Sequence, residues 1–162
     1  MSDNKQIINC PACGKEMVKV FDKDKEINID ICLNGCGGMF FDNRELEKFN
    51  NEHKCADEIL NAIKDKEFAK VDETEKRTCP ICNRPMVKMG AGIDGVEIDV
   101  CNTCGAKFLD NGELEKIRAG KAVDLQKFDA KLEAYNRENN INVKSSPRRQ
   151  FFEDLVKSHL LK

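Results

Sequence analysis

Eight cysteines stand in two quartets, Cys10, Cys13, Cys32 and Cys36, then Cys79, Cys82, Cys101 and Cys104, with the same 18-residue gap inside each quartet. A C-x2-C, gap, C-x2/3-C pattern brings four thiolates from two tight turns around one ion, the arrangement of a closed tetrahedral zinc site. The reading is therefore two Zn2+ per chain. Four thiolates suit iron as well, so the spacing ranks zinc first and iron second. Such sites hold folds together; they name neither substrate nor partner.

Cys55 is the ninth cysteine and stands outside both quartets. An odd total fits a disulfide framework poorly. The opening residues contain no apolar run of the signal-peptide kind, and no stretch reaches the roughly 18 apolar residues of a membrane span. The expected location is cytoplasmic, where thiols stay reduced and paired cysteines bind metal.

Aromatic residues are only 6% of the 162 and charged residues 35%. A single large core is not expected from that balance. A module of about 40 residues lies where a core alone usually fails, and structural zinc must add on the order of 10–16 kcal/mol per site. The formal charge is −2 with cysteines counted neutral. Four thiolates and one Zn2+ carry −2 per site, so two loaded sites bring the chain to about −6. That sign opposes sequence-independent nucleic-acid binding, which rests on excess Lys and Arg.

The elements that must hold the cysteines repeat with them. Met17-Val18-Lys19 aligns with Met86-Val87-Lys88, and Ile27, Ile29 and Ile31 align with Val96, Ile98 and Val100. These alternate with polar residues, the period of a half-buried strand leading into the second cysteine pair. Asp22-Lys23-Asp24-Lys25 and Gly90 to Gly95 supply the turns. Each module reads as a β-hairpin between two metal-binding knuckles, the layout of a zinc ribbon. The residue after a knuckle needs positive φ so that backbone N–H groups face the sulfurs. Gly14, Gly37 and Gly105 fill three of these positions, and Asn83, which tolerates that conformation, fills the fourth. The first module's second knuckle carries one extra residue, which Gly35 would accommodate or which would weaken that site.

Beyond each quartet Asp42-x-x-Glu45 and Asp110-x-x-Glu113 resemble capping boxes, so a helix is predicted to start at Asp42 and at Asp110. Capping accounts for these carboxylates more simply than a catalytic or second metal set.

Cys-Pro-x-Cys, the gap, and Cys101-Asn-Thr-Cys-Gly-Ala-Lys-Phe-Leu-Asp-Asn-Gly-Glu-Leu-Glu115 together resemble the transcription-factor-IIB-like zinc-finger family of small prokaryotic proteins. The resemblance spans residues 9–50 and 78–119. It implies two zinc ribbons with the eight quartet cysteines as ligands, and little about activity. The family commonly has Trp where Phe40 and Phe108 stand here.

The fold class expected is a small metal-bound α+β chain of two tandem ribbons with helical connectors. Residues 1–50 form the first ribbon and the start of a helix, 51–77 a helical connector and charged linker, 78–119 the second ribbon and short helix, and 120–162 C-terminal helices. Apolar spacing from Leu46 to Ile63 predicts a helix over residues 43 to about 69, broken near Asn50 and Asn51, with 71–77 as charged linker. His53 and Cys55 fall there and read as incidental. Gly120 should stop the second helix. Leu125, Phe128, Leu132 and Tyr135 mark another helix, and Ser146-Pro147 opens a last one carrying Phe151, Phe152, Leu155 and Val156. That last helix suits folding back onto the chain, with partner docking as the alternative.

The function expected is a non-catalytic zinc-binding interaction module, a protein-binding adaptor or regulator with a transcription-related role in view. RNA polymerase enters as partner by fold analogy only. The alternatives are a nucleic-acid-binding ribbon protein and a zinc-thiolate redox switch. Cys10-Pro11-Ala12-Cys13 looks like a glutaredoxin motif, yet a second cysteine pair follows where a βαβ unit belongs. A catalytic zinc would need an open position and His or carboxylate ligands, so an enzyme is not expected. No membrane or small-molecule substrate is indicated.

Overall fold

The computed structural model describes residues 6–23, 26–43, 45, 46 and 56–120, together with Ala130, Ala134, Arg137 and Glu138, which are helical and exposed. In chain order the elements are β1 (Val18–Asp22), β2 (Ile27–Ile31), β3 (Met39–Phe41), α1 (Ala56–Ile63), β4 (Val87–Gly90), β5 (Glu97–Val100), β6 (Lys107–Leu109) and α2 (Glu113–Ala119). Both hairpins form where the alternating residues place them.

The two ribbons do not stand apart. Their short third strands pair antiparallel, Met39 with Leu109, Phe40 with Phe108 and Phe41 with Lys107, giving one six-stranded sheet in the order β1-β2-β3-β6-β5-β4. One row of register partners crosses all six strands: Lys19, Asp30, Phe40, Phe108, Asp99, Lys88. It reads the same from either end. Lys19 Nζ reaches Asp30 at 2.9 Å and Lys88 Nζ reaches Asp99 at 2.8 Å. Asp30 and Asp99 are buried, whereas Asn28 of β2 is half-buried and Glu97 of β5 is exposed.

The opposite face holds the main core. Ile27, Ile29 and Ile31 of one ribbon and Val96, Ile98 and Val100 of the other join Met39, Phe41 and Leu109 on it. Ile59 and Ile63 from α1 and Leu114 and Ile117 from α2 cover that face. Each such side chain contributes about 1.5–3 kcal/mol by leaving water. One apolar core thus spans both modules, contrary to the expectation from composition, with a second cluster around the cysteines. The few aromatics suffice because Phe40, Phe41 and Phe108 are all placed at the junction and almost wholly buried.

Two sequence expectations need correction. Among described residues the connector helix ends at Ile63, not near residue 69. Lys64 N–H closes its last turn on Leu60 C=O at 2.9 Å, and Asp65 then takes φ 61°, a left-handed conformation that ends helices. The second helix starts at Glu113 rather than Asp110, after Gly112 with φ 90°. Its capping glutamate is used all the same, since Asp110 N–H donates to Glu113 Oε2 at 2.8 Å, and Asp42 N–H donates likewise to Glu45. Within the segment 71–77, read as a charged linker, Arg77 is 2% exposed and Val71 packs beside the cysteines.

Gly120 stops α2 as expected, its N–H reaching Lys116 C=O at 2.8 Å. The break near Asn50, the helix through Leu125 to Tyr135 and the terminal helix lie outside the described residues, save the four helical positions named above.

Candidate metal centres

Each knuckle is a tight turn closed by the backbone. Cys10 N–H donates to Lys15 C=O at 2.7 Å and Gly14 N–H to Cys10 C=O at 2.9 Å, with Cys79, Arg84 and Asn83 repeating the pattern. The four positions predicted to need positive φ have it: Gly14 75°, Gly37 74°, Gly105 78° and Asn83 55°. The turn so formed aims N–H groups at sulfur. Cys10 accepts from Ala12 and Cys13, Cys79 from Ile81 and Cys82, Cys36 from Gly38, and Cys104 from Ala106.

The fold gathers each predicted quartet and mixes neither. In both, all four Sγ atoms lie within 4.8 Å of one another. The pairs Cys10–Cys36, Cys13–Cys32, Cys79–Cys104 and Cys82–Cys101 stand at 3.5, 3.4, 3.6 and 3.4 Å. Those separations exceed a disulfide bond by far. A tetrahedron with metal–sulfur distances of about 2.3 Å has edges of about 3.8 Å, close to what the sulfurs adopt. The donor set, spacing and N–H groups fit two zinc ions per chain. Zinc held there would act as a crosslink between the two knuckles of each ribbon.

Proton sharing among the thiols shows how strongly each cluster concentrates charge. Cys36 is held down to about 5, chiefly by the hydrogen bond from the Cys10 thiol, with burial opposing and the Gly38 N–H assisting. Cys10 is pushed up by the same bond and by burial. In the second cluster burial raises Cys79 and Cys104, whereas at Cys101 the N–H groups of Cys104 and Thr103 and the Cys82 thiol outweigh burial and bring it to about 7. A divalent metal offsets this repulsion for all four thiolates together.

The extra residue of the first ribbon has a definite use. A Cβ at Gly35 would lie 2.7 Å from Sγ of both Cys13 and Cys32, so only glycine fits. Its carbonyl accepts Ala69 N–H at 2.9 Å, and the Phe68 ring lies over Gly37. The connector therefore straps the second knuckle of the first ribbon.

Residues that sequence reasoning missed hold the sites from outside. Phe108 presses so closely on Gly38 that a Cβ there would collide with its ring, and the Asn43 side chain occupies the space a Cβ on Gly105 would need. Arg77 donates to Asp72 C=O at 2.7 Å and lies 3.5 Å from Asp110. Its counterpart in the first module is the buried Ile8, and an apolar residue at the equivalent position was the available signal. A third acidic group, Glu73, Asp110 and Glu113, lies within the same 4.8 Å limit. Arg77 and Lys88 each stand 3.5 Å from Asp110, so charge within the protein already answers this group. His53, Cys55 and His159 lie outside the described residues.

The family model described as transcription factor zinc-finger matches residues 9–51 and again 78–120. No curated protein and no solved structure matches the chain. No helix among the described residues is long and apolar enough to cross a membrane. Each match contains one complete quartet, its hairpin and its third strand, and together they span more than half of the sequence: the chain belongs to the transcription factor zinc-finger family and carries its zinc ribbon twice.

Proposed function

We propose that the protein is a non-catalytic zinc-binding interaction module, an adaptor or regulator whose partner is another protein, with Cys10, Cys13, Cys32, Cys36, Cys79, Cys82, Cys101 and Cys104 as the metal ligands. The carrying observation is that each cluster supplies four thiols, none of them exposed. Four thiolates complete a tetrahedral zinc and leave no position for substrate or water. Catalysis at the metal is then without a coordination site.

The surface supports a protein partner. Ile7, Val18 and Phe21, 63%, 39% and 49% exposed, lie on or beside the outer strand β1, and Ile81, 37% exposed, projects from the second ribbon's first knuckle. Apolar groups of that kind suit a protein contact better than phosphate. The loaded charge of about −6 points the same way.

A nucleic-acid partner is the second reading, favoured by the family description and by the equivalent exposed cations Lys15 and Arg84. Anisotropy with labelled duplex DNA and single-stranded RNA between 50 and 200 mM salt separates the two. Weak binding with little salt dependence supports the protein reading. Tight binding that falls by orders of magnitude with salt would put the nucleic-acid reading first.

A further inference from the structure

We propose that the two metal clusters are thermodynamically coupled, so that the chain fills and empties both sites together and passes through little of the one-zinc form. The inference rests on the zinc reading above. It comes from how the ribbons hold one another's knuckles.

Gly38 ties the first cluster together, since its carbonyl accepts Cys32 N–H at 2.9 Å and its own N–H faces Cys36 Sγ. The residue packed against Gly38 is Phe108, from the other ribbon. The second cluster is held in a corresponding way. Gly105 N–H donates to Cys101 C=O at 2.8 Å, and Asn43 of the first ribbon lies on Gly105. Between them Phe40 and Phe108 are direct partners across β3 and β6. Cys32 and Cys36 share one apolar cluster with Cys79 and Cys101, and Phe40 and Phe108 belong to it.

A ribbon of this size is ordered by its metal. Once one ribbon is ordered, its third strand and its clamping residue are in place, and the other ribbon folds against a formed surface. The first zinc ion therefore bears more of the ordering cost than the second. Coupling of this kind is reciprocal: each site strengthens the other by the same factor. The consequence is a steep response, in which both ribbons are present or absent as one unit over a narrow range of free zinc.

Native mass spectrometry of the full chain, titrated with Zn2+ under reducing conditions, reads the species directly. The expected result at half-loading is apo and two-zinc chain with the one-zinc form a minor species. Two site-removed chains give the reciprocal measurement, C32S/C36S and C101S/C104S, each assayed for the remaining zinc by chelator competition. Each remaining site should lose affinity at least about tenfold. In Asn43→Ala, with all ligands intact and an exposed side chain changed, the one-zinc fraction should rise. A one-zinc form that dominates in the native chain, or a remaining site with undiminished affinity, overturns the coupling while leaving two zinc sites standing. A chain that takes up no zinc under any condition overturns the zinc reading itself.

Discussion

Phe40 and Phe108 occupy equivalent positions in the two repeats and face each other as register partners at the centre of the sheet. They are 1% and 0% exposed. Through them the polar Lys–Asp pair of one ribbon continues into its counterpart, and the two clusters share one apolar wall. Replacing Phe108 by Ala leaves a void against Gly38 and should cost about 3–5 kcal/mol, read as a lower denaturant midpoint. A loss under about 1 kcal/mol would mean that the ribbons are held together elsewhere.

Gly35 and Gly14 test the knuckles by contrast. Gly35→Ala would place a methyl group 2.7 Å from two ligand sulfurs, whereas a Cβ at Gly14 meets nothing within 4 Å. Gly14→Ala still suffers its φ of +75° and should cost on the order of 1 kcal/mol. Gly35→Ala should release zinc from the first cluster at chelator concentrations that Gly14→Ala withstands. Colorimetric zinc release checks the order, and equal retention would contradict the geometry.

Arg77 is fully buried between Asp72 and Asp110. Arg77→Ala leaves the Asp110 carboxylate buried with its nearest guanidinium gone, and a loss of roughly 3 kcal/mol is expected in thermal unfolding. Lys88, also 3.5 Å from Asp110, should keep the loss from growing further.

Glu113 gives a pH dependence with a definite sign. Burial lifts its carboxyl from 4.5 to about 7, against the Asp110 N–H that lowers it, while the Asp110 charge adds to the rise. The folded chain holds that proton where the unfolded chain has lost it. This contribution is complete below about 4.5 and is lost as pH rises towards 7. With zinc saturating, wild-type stability relative to Glu113→Gln should fall between pH 5.5 and about 7.5. Gln keeps an acceptor for Asp110 N–H, so a constant difference across that range would contradict a buried, protonated Glu113.

Much of this was legible in the residues. Cysteine spacing gave both clusters, Ile27 to Ile31 and Val96 to Val100 gave the inner strands, and the residues after the knuckles gave four positive φ angles. The joining of the ribbons was harder to see. β3 and β6 are three residues each, too short for an alternating pattern, and Met39-Phe40-Phe41 is apolar on both faces. Such a strand is covered on both sides, but nothing local says by what. The connector helix was expected to run on to about residue 69, yet Asp65 turns the chain and delivers Phe68 to Gly37. Arg77 looked like linker because charge usually means solvent; its fixed place two residues before Cys79 matters more than its type.

X-ray absorption at the zinc edge of the purified full chain tests the central claim most directly. The account expects a shell of four sulfur atoms at about 2.3 Å and no lighter neighbour. A nitrogen or oxygen in that shell would mean an open or mixed site, and the closed, non-catalytic reading would fall; an absent zinc edge would remove the metal altogether.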